Sequence, residues 1–306
     1  MEPRVSILVP TFRRPDRLVQ TLESLANQQI DEPFLITVAD NDADCLEGEA
    51  AAKSWAEARG FVEKLLTVVV PERGISQCRN KGISSIISLY PSVLLIAMID
   101  DDAQAASTWL RNLITAQSEF RADLVGGPVI YRFPGGSPEW LRSAPTFRTA
   151  EYKTGHIKRL RGSGNCLLTR SLLQKIMPRP FDDAFGLTGS EDVDFFERCA
   201  RLGAVSAWAA DALVFEMVPL ERISRDWILK RMHSVGFSEV MISMKYRPRF
   251  YAYLAQLILI TRGLVFGLVR LLAFSNRTVR LAGEIRIAQS LGRVAALRRR
   301  QITFYG

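Results

Sequence analysis

Three consecutive aspartates, Asp100, Asp101 and Asp102, directly follow the apolar run 93–99. Carboxylates crowded at the end of a buried strand repel one another, so this position favours a bound cation. In an extended segment alternate side chains share a side, which predicts that Asp100 and Asp102 project together while Asp101 points away. Two hard oxygen ligands on one side suit Mg²⁺ or Mn²⁺, ions that also bind substrate phosphates. An acidic turn or a helix cap is the structural alternative.

A second acidic group, Glu191 and Asp192, stands where a glycine-containing loop becomes a predicted helix at 191–202. Carboxylates in a first helical turn complement the helix dipole, which is a purely structural use. A carboxylate that reaches a bound acceptor acts instead as a general base. Phe195 and Phe196 are expected to anchor this helix.

The segment 73–82 combines a predicted helix start at Ser76 with the cations Arg79 and Lys81. Free amides at a helix N-terminus and nearby positive charge favour an anionic ligand such as a phosphate. A solvated arginine on a surface helix is the alternative.

Strands alternate with helices through the first half of the chain, and Asp16 is predicted to cap the first helix. Four apolar runs are predicted as strands: 5–10, 34–39, 65–70 and 93–99. This alternation predicts an α/β fold whose mostly parallel sheet carries helices on both faces. Ligands of such sheets bind beyond the carboxyl ends of the strands, where Pro10, Thr11, Asp40 and the aspartate triplet lie.

The composition is that of a globular chain with a basic C-terminal part. Of 306 residues 48% are apolar and 24% charged, which excludes the disordered and low-complexity classes. The net charge is +8, and residues 222–306 hold 16 lysines and arginines against 3 acidic residues. Four dispersed cysteines and two histidines argue against disulfides and zinc, and the N-terminal apolar run is too short for a secretion signal. A reduced, cytosolic protein is expected.

The C-terminal part is predicted to be helical from about Ser224, with an apolar stretch at 251–274 that Arg262 and Arg270 interrupt. Its longest uncharged pieces, eleven and seven residues, are shorter than the ~20 that span a bilayer. A helix lying in the plane of an anionic membrane surface is therefore favoured, with snorkelling arginines and support from the run 298–300. A cover for the catalytic domain, a dimer interface and nucleic-acid binding are the alternatives.

Seven segments, in the same order, resemble the family 2 inverting glycosyltransferases of the GT-A fold. The nearest likeness is to bacterial exopolysaccharide glucosyltransferases of the succinoglycan type. The segments are VSILVPTFRR at 5–14, VADND at 38–42, GISQCRNKG at 74–82, IDDD at 99–102, VGGPV at 125–129, GSGNC at 162–166 and GSEDVD at 189–194. The resemblance covers about residues 4–240. It implies a catalytic domain at 1–221, divided near residue 130 into a nucleotide-sugar half and an acceptor half, followed by a membrane-associated tail at 222–306.

The resemblance also implies roles for single residues. Donor-nucleotide contacts are implied for Pro10, Thr11, Arg13, Asp40, Arg79, Asp100 and Asp101. Asp102 and Asp100 are implied as ligands of Mg²⁺ or Mn²⁺, Asp192 as the catalytic base beside Glu191, and Gly164, Asn165 and Glu191 as acceptor contacts. Many family members supply a metal-binding histidine from a later strand, where this chain has Glu216. Glu216 is therefore a metal ligand, an acceptor contact or a structural residue.

The implied reaction moves a hexose, glucose by the nearest likeness, from a UDP-sugar to a lipid-linked oligosaccharide. It would take place at the cytoplasmic face of the plasma membrane, in exopolysaccharide or cell-surface polysaccharide synthesis, with no nucleic acid as a partner. A sugar-phosphate nucleotidyltransferase would need a glycine-rich first loop, which residues 10–14 do not form. A noncatalytic nucleotide- or polysaccharide-binding module would have little use for Asp192 beside a separate metal pair. The oligomeric state is left open.

Overall fold

The computed structural model describes residues 2–160 and 162–298, which form two compact units. The first unit comprises the residues up to 132, together with 149–186 and 191–217. The second comprises 133–148, 187–190 and the chain from 218 onward. Of the predicted basic run 298–300, only Arg298 lies within the described residues.

The strands and helices follow the predicted alternation closely. The strands are β1 (Val5–Thr11), β2 (Phe34–Asp40), β3 (Leu65–Val69), β4 (Leu95–Ile99), β5 (Ala103–Ala105), β6 (Leu124–Gly126), β7 (Val129–Arg132), β8 (Gly155–Ile157), β9 (Asn165–Thr169), β10 (Ser206–Trp208) and β11 (Val214–Met217). The helices are α1 (Pro15–Ala26), α2 (Glu47–Arg59), α3 (Ile75–Leu89), α4 (Trp109–Phe120), α5 (Arg170–Ile176), α6 (Glu191–Arg201), α7 (Arg225–Tyr246), α8 (Arg249–Ala273) and α9 (Arg277–Leu297).

An eight-stranded sheet in the order β3-β2-β1-β4-β9-β6-β10-β8 forms the centre of the first unit. The strands β3, β2, β1 and β4 are parallel, and β9 runs antiparallel between β4 and β6. A second sheet has the order β5-β11-β7. The predicted α/β class is confirmed, and the ends of β1, β2 and β4 meet at one edge of the large sheet.

The central strand β1 shows why the sheet is covered on both faces. Successive side chains of a strand point to opposite sides, and all seven residues of β1 are buried. Ile7 packs in one core cluster with Leu18 and Leu22 of α1. Leu8 packs in the other cluster with Ile83 of α3. A continuous apolar run is what a strand between two helical layers requires.

Two predicted helix caps are wrong, and the predicted start of a helix near Ser224 is confirmed. Helix α1 begins at Pro15, whose fixed φ suits the first helical position, so Asp16 lies inside the helix and does not cap it. Helix α3 begins after Gly74, and the Ser76 hydroxyl donates instead to the Asp182 carbonyl oxygen at 2.9 Å. Ser224 caps α7, because its Oγ accepts a hydrogen bond from the Trp227 amide.

Helix α8 packs on α9 through small residues within the second unit. A Cβ atom added at Gly263 would lie 2.2 Å from Ser290 Oγ, and one at Gly267 would lie 2.9 Å from the Gly283 carbonyl oxygen. The Gly263-x-x-x-Gly267 spacing therefore allows close approach of two helices.

The apolar stretch at 251–274, predicted to be helical, lies almost entirely in one unbroken helix, α8, which includes both Arg262 and Arg270. Among the described residues, α8 is long and apolar enough to cross a membrane by length and composition. Only 22% of the most apolar part of this helix is buried. Length and composition alone are weak grounds for a membrane span, because a buried helix of a soluble protein can pass the same test.

Replacement of Gly292 by alanine is predicted to destabilise the second unit. The added Cβ would lie 1.9 Å from the His233 carbonyl oxygen, so α7 and α9 would have to separate. Such overpacking costs about 1–3 kcal/mol, which urea unfolding would measure. Gly135→Ala is the control, because a Cβ at Gly135 meets nothing within 4 Å. Equal stability of the two variants would contradict the close packing of α7 on α9.

Candidate active site

Arg79 is the centre of the polar cluster at the edge of the large sheet. It lies on α3, is only 4% exposed, and donates through both terminal nitrogens. Nη1 lies 2.5 Å from Glu191 Oε1, and Nη2 lies 3.1 Å from Asp100 Oδ1. One guanidinium group thus joins the end of β4 to the first turn of α6.

The charge of Arg79 is maintained by its acidic neighbours. Burial alone lowers the pKa of Arg79, but the negative charges of Glu191, Asp100 and Asp192 outweigh burial and raise the pKa. The guanidinium also lies 5.4 Å from the ring centroid of Phe181. Arg79 is therefore a permanent cation held among carboxylates.

The two neighbouring acids of α6 have different environments. Glu191 is 6% exposed and its carboxylate is bound by Arg79. Asp192 is half-buried, and its Oδ1 accepts a hydrogen bond from the Val193 amide at 2.8 Å. Phe195 and Phe196 are fully buried and anchor the helix, as predicted. Asp192 is thus the more accessible of the two carboxylates.

The aspartate triplet does not follow the predicted alternation. The chain turns at Asp101 and Asp102 instead of continuing extended, so these two carboxylates share one cation. Arg14 Nη1 lies 3.3 Å from Asp101 Oδ1 and 3.2 Å from Asp102 Oδ2, whereas Asp100 binds Arg79. The prediction that Asp101 stands apart from the other two is wrong.

The Asp101 carboxyl group is buried and close to other charged groups. Burial, with a further contribution from the charge of Asp102, raises the pKa of Asp101 to about 6. Arg14 and the hydrogen bond from Thr11 Oγ1, at 2.8 Å, act in the opposite direction. Beneath the turn, the Thr21 hydroxyl lies 3.0 Å from the Asp101 carbonyl oxygen and 2.7 Å from that of Ala103. The sequence analysis predicted no role at the site for either Arg14 or Thr21.

Carboxylate oxygens such as those of the triplet are the ligand type that a hard divalent cation takes. In residues 2–160 and 162–298, no group of three or more His, Cys, Asp or Glu side chains is arranged to hold a metal ion. Asp100 and Asp102 offer two carboxylates, and Mg²⁺ sites commonly take one or two from the protein and the rest from phosphates and water. Glu216 is partly buried on β11, where it pairs with Ala103, the residue after Asp102.

The end of β2 forms a second cluster, around Asp40. Asp40 is fully buried, and its two oxygens accept hydrogen bonds from the amides of Asp42, at 3.0 Å, and Glu49, at 2.8 Å. Arg13 binds both oxygens of Asp42, and its hydrogen bonds lower the pKa of that carboxyl group. The Asp40 carboxylate therefore stabilises the loop after β2. These hydrogen bonds do not by themselves give Asp40 a contact with a ligand.

The two predicted acceptor residues before and within β9 have different surroundings. A Cβ added at Gly164 would lie 2.7 Å from Asp100 Oδ2, so the missing side chain leaves room for that carboxylate. Asn165 is buried, accepts from Trp109 Nε1 at 2.8 Å, and donates to the carbonyl oxygens of Pro128 and Ala212. Both amide hydrogens of Asn165 are used inside the fold, where they join β9 to the segments that contain Pro128 and Ala212.

Comparison with known proteins matches this chain to two related family models and to curated relatives. The model of glycosyl transferase family 2 matches residues 6–177, and that of glycosyl transferase family group 2 matches residues 95–295. The succinoglycan biosynthesis protein ExoM of Rhizobium meliloti (strain 1021) is 31% identical over 248 residues, which are 76% of this chain and 72% of ExoM. A glucosyl-dolichyl phosphate glucuronosyltransferase of Haloferax volcanii is 25% identical over 264 residues, 79% of this chain and 78% of that protein.

Solved structures share the fold at low sequence identity. A mannosyltransferase from Pyrobaculum calidifontis, in complex with GDP-Man and Mn²⁺, has a TM-score of 0.62 and 17% identity. The match covers 98% of this chain and 89% of that one. S. aureus TarS in complex with UDP has a TM-score of 0.52 and 14% identity, over 98% of this chain and 92% of that one. These likenesses confirm the predicted GT-A fold.

A double-mutant cycle on Arg79 and Glu191 is predicted to show strong coupling. Arg79→Met leaves Glu191 buried without its cation, which should cost about 3–5 kcal/mol in urea unfolding at neutral pH. The double variant, Arg79→Met with Glu191→Leu, should lose clearly less free energy of unfolding than the sum of the losses in the two single variants. The exposed pair Arg59 and Glu23 is the control, with an expected coupling below about 1 kcal/mol. Additive effects at Arg79 and Glu191 would show that the pair does not hold the site together.

Proposed function

The chain belongs to glycosyl transferase family 2, and we propose that it is an inverting, divalent-metal-dependent hexosyltransferase. The proposed donor is a UDP-sugar, UDP-glucose by the sequence resemblance, and the proposed acceptor is a lipid-linked oligosaccharide. The product would be an intermediate of exopolysaccharide or cell-surface polysaccharide synthesis. The relative ExoM, named for succinoglycan biosynthesis, supports this substrate class.

The observation that carries the mechanism is the contact of Arg79 with both Asp100 and Glu191. It brings the proposed donor side, at the end of β4, next to the first turn of α6. Glu191 is occupied by Arg79, so we assign proton transfer to the neighbouring Asp192 and a positioning role to Glu191. A general base must be accessible to the acceptor hydroxyl, and Asp192 meets that requirement better than its buried neighbour.

The proposed reaction is a single displacement at the anomeric carbon of the donor. The acceptor oxygen forms a bond to this carbon while its proton passes to the Asp192 carboxylate. The bond to the diphosphate breaks on the opposite face, and the diphosphate leaves with the bonding electrons, through an oxocarbenium-like transition state. A divalent cation bound by Asp100 and Asp102 would stabilise the negative charge of the departing diphosphate. The Mn²⁺ in the complex of the similar mannosyltransferase supports this cofactor class.

The proposed donor contacts come from Pro10, Thr11 and Arg13 at the end of β1 and from Asp101. Thr11 is tied to Asp101 by its hydroxyl, and Arg13 is 51% exposed in its side chain and paired with Asp42. We propose that Asp40 contributes indirectly, by shaping the loop that carries Asp42. On the acceptor side, we propose that Gly164 leaves room beside Asp100 and that Glu216 ligates the cation or contacts the acceptor.

We propose that α8 attaches the protein to the cytoplasmic face of the membrane. Leu254, Ile258, Val265 and Leu272 share one side of α8 and are all about half or more exposed. Arg262 is also exposed, near the middle of the helix. A charge at the centre of a bilayer is costly, so a helix lying in the interface, with Arg262 reaching the head groups, is favoured over a span.

Asp192→Asn is predicted to keep donor binding and lose transfer. The amide cannot accept the acceptor proton, so the transfer rate should fall by about 10²–10⁴-fold. Calorimetry with UDP-glucose and Mn²⁺ should give a dissociation constant close to that of the unaltered protein. Asp16→Asn, an exposed change on α1, serves as the control and should leave both quantities intact. Transfer by Asp192→Asn near the parent rate would remove Asp192 from the role of base.

Ile258→Glu with Val265→Glu is predicted to release the protein from lipid vesicles. Both side chains are exposed on α8, so the helix and the thermal unfolding temperature should be retained. Vesicle binding, measured by flotation, should fall at least about tenfold, because two carboxylates would have to enter the apolar interface. Leu89→Glu, an equally exposed position on α3, should not alter binding. Unchanged flotation of the α8 variant would contradict attachment through this helix.

A further inference from the structure

A basic pocket lies in the second unit, where α8 ends and α9 begins. Its volume is about 360 Å³. The lining combines three guanidinium groups with one carboxylate, an indole, a hydroxyl and an aliphatic side chain: Arg225, Arg277, Arg280, Glu284, Trp140, Ser275 and Leu281. Neither the family assignment nor the proposed transfer reaction uses these residues.

The charges of this pocket are only partly compensated within the protein. Arg225 Nε donates to Glu284 Oε2 at 2.7 Å, so the one carboxylate in the lining already has a cation. Arg277 lies 5.9 Å from the ring centroid of Trp140, and among the described residues neither Arg277 nor Arg280 forms an ion pair. Two guanidinium groups therefore remain available to an anion.

The position of these arginines in α9 is unfavourable without an anion. Positive charge near a helix N-terminus opposes the helix dipole, and the first turn of α9 contains no acidic residue. Asn276 Oδ1 accepts hydrogen bonds from the amides of Thr278 and Val279, so capping already uses these donors. An anion in this pocket would therefore be bound by the arginine side chains rather than by free amides. Guanidinium groups bind phosphate with paired, charge-assisted hydrogen bonds.

In the sequence, the pocket residues directly follow the C-terminal end of α8, which carries exposed apolar side chains. Ser275 in the lining follows Phe274, which is 48% exposed, and Leu272, two residues before Phe274, is 85% exposed. A ligand with a phosphate head and an apolar chain matches both surfaces, whereas a free anion would use only the first. A tryptophan beside the arginines is also common at the membrane interface.

We propose that Arg277 and Arg280, beside the ion pair of Arg225 with Glu284, form a binding site for the phosphate group of an anionic membrane lipid. The lipid chain lies along the apolar surface of α8, and the site sets the position of this helix relative to the membrane surface. The site rests on the membrane attachment proposed above, and it adds a specific head-group contact to a general apolar one.

Flotation of the full chain with two kinds of vesicle tests the site. One kind contains phosphatidylcholine alone, and the other contains phosphatidylcholine with phosphatidylglycerol. Unaltered protein should bind the anionic vesicles at least about tenfold more tightly, and Arg277→Glu with Arg280→Glu should abolish this preference. Arg286→Glu with Arg298→Glu is the matched control, because both arginines are exposed and lie outside the pocket, Arg286 near the middle of α9 and Arg298 just beyond its end, and the change in net charge is the same. The control should retain most of the preference, with a loss of less than about threefold.

Each outcome separates the site from the broader proposal. Equal losses in both double variants would show general surface charge and overturn the site. Binding of unaltered protein that does not distinguish the two vesicles would also overturn it, while leaving attachment through α8 intact. No binding to either vesicle would overturn attachment and site together. If the glutamate variant unfolds, Arg277→Gln with Arg280→Gln takes its place, with the same expected loss of preference.

A fluorescence titration separates a lipid head group from a free anion. Trp140 lines the pocket, so the difference signal between unaltered protein and Trp140→Phe reports its occupation. A soluble short-chain phosphatidylglycerol should change this signal at a concentration at least about tenfold lower than inorganic phosphate. Equal concentrations would identify a site for free phosphate and contradict a lipid site.

Discussion

The arrangement of the active site depends on one buried guanidinium group. Arg79 on α3 holds Asp100 at the end of β4 and Glu191 at the start of α6, three segments far apart in the chain. A buried charge is tolerated only when it is paired and hydrogen-bonded, so these contacts are mutually required. The pairing also distinguishes the two acids of α6, because Arg79 binds Glu191 while Asp192 is the less buried of the two. This difference is the basis on which proton transfer is proposed for Asp192 and a positioning role for Glu191.

The aspartate triplet is divided in a comparable way. Asp100 faces Arg79, whereas Asp101 and Asp102 share Arg14. Burial raises the pKa of Asp101 to about 6, and the repulsion between neighbouring carboxylates, chiefly from Asp102, adds to this shift. In the proposed reaction a divalent cation and the donor diphosphate would meet at this edge. A site with excess negative charge before the cation binds is the usual starting point for metal-dependent phosphate chemistry.

The fold was largely predictable from the sequence, because continuous apolar runs and the helices between them determine the parallel half of the sheet. The contacts of the site were less predictable. Alternation along an extended segment failed at Asp101, since the chain turns there, and the anchoring by Thr21 depends on a distant helix. Asn165 shows the same limit: its residue type suggests ligand binding, but its partners Trp109, Pro128 and Ala212 come from other segments. Residue type indicates possible chemistry, and tertiary packing decides which groups remain available for it.

The proposed lipid-linked acceptor would be met at a membrane, and the apolar helix and basic pocket of the second unit are the proposed means of attachment. The central claim, however, concerns the chemistry at Asp192 and the departing diphosphate. The most direct measurement is the anomeric configuration of the newly formed glycosidic bond, determined by NMR on the purified product. A single displacement with Asp192 as base predicts a configuration opposite to that of the donor sugar. Retention of the donor configuration would contradict the account.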